Sequence, residues 1–245
     1  MSGKTAGAGK TISDWIIALR KIGLEDIAQK FDSNKLEDNE RLKKSGLPVF
    51  AEFIAPIREF NRDNNSLMNF LGKYNDFVVR AIPKTKDLPR RYKIGVKTFE
   101  ECEEFLKENV KPENTSVYSV FLTERVESEW SGVILSGEKE IFIDIARAGL
   151  DSLSHGEVVP IGGRFAFHDF NHFRTMRYYN TDDARERETI WDSLQSITKG
   201  NDLLDSDQFP NLNLMRGYFE FVITLDKRIV FLDYKIKEGY SCGLS

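Results

Sequence analysis

The chain has 245 residues, with 35 Lys+Arg against 39 Asp+Glu and a formal charge of −4. Two cysteines, Cys102 and Cys242, exclude a disulfide scaffold and a Cys-rich metal site. The sequence has no apolar run near the roughly 18–20 residues that span a bilayer. Its first ten residues lack the apolar core of a secretory signal, and its acidic balance disfavours nucleic acid, which needs Lys and Arg on phosphates. A reduced, cytoplasmic, globular protein with no membrane partner is expected, long enough for one large domain or two lobes.

Residues 1–11 read as a flexible tail. Its GKTAGAGKT phrase fails as a phosphate-binding loop, because Lys4 stands where the first glycine is needed and no strand precedes it. Ser13-Asp14 offer an N-cap before Trp15, Ile16, Leu19, Ile22 and Leu24, an apolar stripe at helical spacing, and 24–31 predicts a second helix. Trp15, Leu19, Leu24, Ile27 and Phe31 are expected as core of the first lobe, with a small helical protein-interaction module as the alternative. A polar helix follows over 36–44, stopped by Ser45-Gly46 and Pro48. Residues 49–57 are extended or mixed, 67–74 helical, and 77–79 a short buried strand. The basic, Pro-punctuated loop 84–93 carries Lys86, Arg90, Arg91 and Lys93 and, with Lys97 beyond it, is a candidate anion receiver, with a plain solvated loop as the alternative.

An acidic amphipathic helix is expected over 99–109, and strands over 117–122, 132–135 and 140–146. Residues 149–163 read as loop-rich, with one short helical turn as an option, 164–179 as strands and 182–199 as a helix. His168 and His172 stand four apart but lack a third ligand, which favours hydrogen-bonded or surface histidines. A hairpin pairs 219–225 with 228–234 through Asp226-Lys227. The fold class is therefore α+β. Polar residues Asn109, Pro112, Glu113 and Asn114 suggest a boundary near 108–116, giving an N-terminal lobe over 12–110 and a C-terminal lobe over 111–240. The hairpin also carries chemistry. Glu220 and Asp233 lie on its opposite arms, and carboxylates at neighbouring positions on paired strands suit a hard cation such as magnesium. Two solvent-facing acids are the alternative.

Five segments share a telling order. DSNKLEDNERLKKSGLPVF places Lys35 eleven residues before Gly46, and VVRAIPKTKDLPRRYKIGV carries Arg80, Asp87-Leu88-Pro89 and Gly95. VFLTERVESEWSGVIL sets Thr123, Arg125 and Val126 ahead of Ser131-Gly132-Val133, and IDIARAGLDSLSHGEVVP carries Asp144, Asp151, Gly156 and Pro160. Last, Glu220 is followed by Asp233 thirteen residues later and then by Lys235. In this order they resemble the nucleotide-binding domain of the pyruvate phosphate dikinase and phosphoenolpyruvate synthase family, within the ATP-grasp superfamily.

The resemblance implies a two-lobed ATP-grasp architecture with an antiparallel sheet in the C-terminal lobe. It further implies ATP and Mg2+ as cofactors, and a phosphotransferase, kinase or ligase activity toward a small molecule or a partner protein. Lys35 and Arg80 would contact phosphates, with Lys235 assisting where the family has an arginine. Asp87 and Gly95 belong to the segment that approaches the phosphates, and the strand end with Thr123 and Arg125 would face the adenine. Asp144 and Asp151 fall in a further nucleotide-site segment, and Glu220 and Asp233 would hold magnesium. Three departures stand out: Ser33-Asn34 replace glycines, Ala81-Ile82 replace a hydroxyl pair, and 148–151 has lost a glycine-rich phrase. They motivate the alternative of a degenerate, non-catalytic nucleotide-binding or interaction module.

Overall fold

The computed structural model describes residues 35–85, 88–137, 139–147, 149–154, 156–169, 172–198 and 214–235. The tail, the two helices expected before residue 35, the candidate interaction module they carry, and Cys242 lie outside the described residues. Among the described residues no helix is long and apolar enough to cross a membrane.

In chain order the elements are α1 (Lys35–Lys44), β1 (Glu52–Pro56), α2 (Asn65–Lys73), β2 (Phe77–Pro83), β3 (Arg91–Val96), α3 (Phe99–Asn109), β4 (Tyr118–Glu124), β5 (Ser128–Ser136) and β6 (Glu140–Ala146). They continue with α4 (Leu150–Ser154), β7 (Ile161–Asp169), β8 (His172–Tyr179), α5 (Ala184–Gln195), β9 (Gly217–Thr224) and β10 (Ile229–Lys235). The protein is α+β with two antiparallel sheets. The chain forms two compact units, one of Phe50–Glu127 and one of the chain on either side. Residues 108–116, with their linker-like composition, run from the end of α3 into the 3-10 segment that precedes β4, inside the first of these units.

The unit Phe50–Glu127 holds a sheet of order β1-β4-β2-β3. Its helices are capped as their sequences dictate. Asn64 accepts from the Leu67 N–H at 3.1 Å to start α2. At α3 the Thr98 hydroxyl accepts from the Glu101 N–H, while the Glu101 carboxylate accepts from the Lys97 N–H, a reciprocal arrangement close to a capping box. Phe99, Cys102, Phe105 and Leu106 recur at helical spacing and bury together with Phe77, Val79, Ala81, Val96, Val120 and Leu122.

Two expectations change in this unit. The strand expected over 77–79 continues through Pro83, and the expected loop 84–93 gives way to β3 at Arg91. Pro83 ends β2 rather than interrupting it, because a proline at a strand terminus gives up only one ladder donor.

Cys102 is fully buried. Burial, reinforced by the charge of Glu101 and opposed by Lys93, pushes its thiol up to about 12. Relative to a thiol of ordinary pKa, its thiolate population at pH 8 falls roughly a thousandfold. In a Cys242→Ser background, thiol labelling of the native protein is therefore expected to be slower than in denaturant by that order, measured as dye release.

The larger unit is built on a sheet of order β10-β9-β5-β6-β7-β8. One face carries Ile134, Ile143, Ile145, Phe165, Phe219, Phe221 and Phe231, joined by Leu42 from α1 and by Ile190 and Leu194 from α5. Gly132 lies beneath this core. A Cβ there would meet Phe221 Cζ at 2.3 Å, so the ring fits only over a glycine. Two segments again extend beyond expectation. The strand expected over 132–135 spans Ser128–Ser136, and the loop-rich stretch 149–163 holds α4, where a short helical turn was an option, and also the start of β7. His168 lies in β7, and His172 opens β8 opposite Asp169.

Candidate functional site

On its other face the larger sheet lines up a row of residues, each directly opposite the next. The row runs from Asp233 on β10 to Glu220 on β9, Val133 on β5, Asp144 on β6, Gly162 on β7 and Tyr179 on β8. Opposed residues of antiparallel strands share a face, so this row collects Asp233, Glu220, Asp144 and Tyr179 on one side. The register that does this is not a simple hairpin. Ile229 pairs with Ile223 across a loop of residues 225–227, with Lys227 at φ 65°. A bulge between Phe231 and Asp233 then skips Leu232 and sets Asp233 opposite Glu220. Without it, Asp233 would fall one position out of step with the polar row.

The side chains of the row are held by specific donors. Lys235 and Asp233 are 5% and 7% exposed, and Lys235 Nζ lies 3.6 Å from Asp233 Oδ2. The Tyr234 N–H donates to Asp233 Oδ1 at 2.9 Å, and the buried Tyr218 hydroxyl donates to Glu220 Oε1 at 2.5 Å. Across the sheet, the Tyr179 hydroxyl donates to Asp144, which is 0% exposed. Gly162 makes that reach possible, since a Cβ there would meet Ile143 O at 2.3 Å and the Tyr179 hydroxyl at 2.5 Å. Glu220, Asp233 and Lys235 are thus brought together. Asp144 shares their face but sits two strands from Glu220, about 10 Å at the backbone.

These surroundings shift the phenols. Burial, followed by the charges of Glu220 and Asp233, raises Tyr218 well above the ordinary tyrosine value. Burial, followed by Asp144, raises Tyr179, and burial raises Tyr178 against the opposing charge of Arg187. A raised native pKa favours the neutral phenol in the folded state. The stability it contributes is complete below the unfolded tyrosine value of about 10 and is lost as pH climbs from there toward the native values. Thermal melts between pH 8 and 11.5 should show the midpoint falling above about pH 10, and Tyr179→Phe should make that fall shallower.

Other candidates lie in the unit Phe50–Glu127. The guanidinium of Arg80 donates to Thr123 Oγ1 at 2.9 Å and lies 5.6 Å from the Phe121 ring centroid. Burial lowers its pKa from the ordinary arginine value, against the opposing effect of Tyr92. Arg125 pairs with Asp76 at 3.1 Å, and a Cβ on Gly95, which has φ +78°, would lie 3.4 Å from the Arg125 guanidinium. Arg80 with Thr123, and Gly95 with Arg125, are therefore two local groups. Lys35 opens α1 and Asp151 lies in α4, while Asp87 lies outside the described residues.

The sequence reading missed Tyr218 and Tyr179. The signal for Tyr218 was present, because residues two apart on a strand share a face and Tyr218 precedes Glu220 by two. Tyr179 had no local signal. It meets Asp144 only through two strand pairings.

Chemically, the centre offers two carboxylates and an ammonium. Among the described residues no group of three or more His, Cys, Asp or Glu is placed to hold a metal ion by itself. The all-oxygen donor set of Glu220 and Asp233 nonetheless fits a hard divalent cation that completes its shell with water and phosphate oxygens.

No protein-family model and no curated protein sequence matches the chain. Among solved structures it is similar to the D-alanine-D-alanine ligase from Coxiella burnetii, at 11% identity and TM-score 0.43, covering 94% of this chain and 56% of that one. It is also similar to a RiPP-associated ATP-grasp ligase from Chryseobacterium gregarium, in complex with ADP and a leader and core peptide, at 12% identity and TM-score 0.41, covering 87% and 54%. N5-carboxyaminoimidazole synthetase from Staphylococcus aureus, complexed with ADP, matches at 12% identity and TM-score 0.42, covering 94% and 51%. The chain spans little more than half the length of each of these proteins.

Proposed function

We propose that the chain binds ATP together with magnesium and uses it to activate an acceptor by phosphoryl transfer, as an ATP-dependent ligase or phosphotransferase. One observation carries this reading: Glu220 and Asp233 stand opposite each other beside the buried Lys235. In this reading the two carboxylates hold the cation. When bound, magnesium bridges phosphate oxygens and offsets the charge that develops on them. Lys235 supplies a fixed positive charge toward the phosphates. It acts as a point charge, without the two-pronged geometry of the arginine expected at that position in the family. Its burial and its place in the sheet keep that charge from having to reorganise as phosphoryl oxygens gain charge.

The order of the sequence segments supports the same reading. The family resemblance of those segments implies phosphate contact for Lys35 and Arg80, nucleotide-site segments for Asp87, Gly95, Asp144 and Asp151, and an adenine-facing strand end for Thr123 and Arg125. The acceptor is a small molecule or a group on a partner protein.

Isothermal titration of the full chain with MgATP tests this directly. Saturable binding at sub-millimolar nucleotide, weakened when EDTA removes the cation, is the expected result. No heat of binding at several millimolar MgATP would sink the proposal.

A further inference from the structure

Both acids of the pair accept a hydrogen bond from a fixed donor. Glu220 Oε1 accepts from the Tyr218 hydroxyl, and Asp233 Oδ1 accepts from the Tyr234 N–H. Neither donor has much freedom. The Tyr234 N–H belongs to the backbone of β10. Tyr218 is 2% exposed and stands in β9 opposite Leu135 on β5 and Lys235 on β10. A cation that reaches Glu220 therefore meets one carboxylate oxygen, while the other stays with the phenol.

That restriction does not affect all divalent ions alike. Magnesium demands a near-octahedral shell, and the narrow bite of a two-oxygen carboxylate distorts it. Calcium takes six to eight oxygens in flexible geometry and uses two-oxygen carboxylates readily. We propose that Tyr218 is a positioning residue that sets cation specificity: by holding Glu220 to one-oxygen coordination, it makes this pair select magnesium over calcium. The inference rests on the cation reading of Glu220 and Asp233 given above. Tyr218 touches neither cation nor nucleotide and acts through Glu220.

The test is a ratio that a purely structural tyrosine would leave alone. The full chain is titrated calorimetrically with β,γ-imido-ATP, once with magnesium and once with calcium, and the two dissociation constants are compared. Tyr218→Phe keeps the ring and removes only the hydroxyl. It should lower the preference for magnesium about tenfold, the scale on which hydrogen bonds behind a metal ligand act, with most of the change as tighter binding with calcium. An unchanged ratio overturns the inference, even if the melting temperature falls. Glu220→Asp draws the carboxylate back from the phenol and should move the ratio in the same direction; it decides the matter should Tyr218→Phe fail to fold. If the wild type binds the nucleotide without help from either cation, the cation reading itself falls. That outcome is distinct from cation-dependent binding with an unchanged ratio.

Discussion

Replacing Asp233 with alanine should weaken MgATP binding by about 100-fold or more. Losing a hydrogen bond behind a metal ligand already costs about 10- to 100-fold in metal affinity, and losing the ligand itself should cost no less. The geometry makes Asp233 the sensitive member of the pair. Its carboxylate stands opposite Glu220 and faces Lys235 Nζ at 3.6 Å. Alanine removes that carboxylate from beside the buried Lys235 ammonium, so the melting temperature should fall as well. Asp233→Asn separates the two effects. The amide oxygen can still accept from the Tyr234 N–H, so this variant should lose most of the nucleotide affinity with a smaller loss of stability. Titration calorimetry and thermal melts on both variants make the comparison. MgATP affinity in Asp233→Ala within threefold of wild type would remove this residue from the site.

The largest stability effect is expected at Phe219, on the opposite face of the same strand as Glu220. Phe219 is 0% exposed, stacks on Tyr234 at 4.5 Å and 10°, and meets Phe231 edge-on at 5.9 Å. Phe219→Ala removes the ring from a packed core and leaves a cavity, at a cost of about 3–5 kcal/mol. For a protein of this size that corresponds to a fall of roughly 10 °C in melting temperature. The substitution also probes the site, because Phe219 neighbours Glu220 and its stacking partner Tyr234 lies between Asp233 and Lys235. A fall of only a degree or two by calorimetry would mean that this core is less tightly packed than its ring geometry indicates.

Much of the fold was legible from local signals. Helix 99–109 matched α3, because Phe99, Cys102, Phe105 and Leu106 repeat at helical spacing behind a Thr98 cap. The hairpin carrying Glu220 and Asp233 was legible because two runs rich in aromatic and β-branched residues flank the polar Asp226-Lys227 turn. Less visible were the strands that contain or adjoin Gly and Pro. Gly162 and Gly163 closed a stretch that read as mostly loop, yet β7 runs through both glycines, and β2 runs on past residue 79 to end on Pro83. Gly162 belongs in a strand because the Tyr179 hydroxyl needs the space that a Cβ would fill.

By itself the sequence determined the α+β class, the main amphipathic elements, and the placement of Glu220 and Asp233 on paired arms, since these depend on residue types a few positions apart. Only the tertiary structure decided which polar groups share a face. A one-residue change of register turns a side chain from the polar row to the core, and the bulge at Leu232 sets that register for Asp233. The pairing of Glu220 with Tyr218, the reach of Tyr179 to Asp144, and the burial of Lys235 arise from strand pairing and packing that no local run of residues specifies.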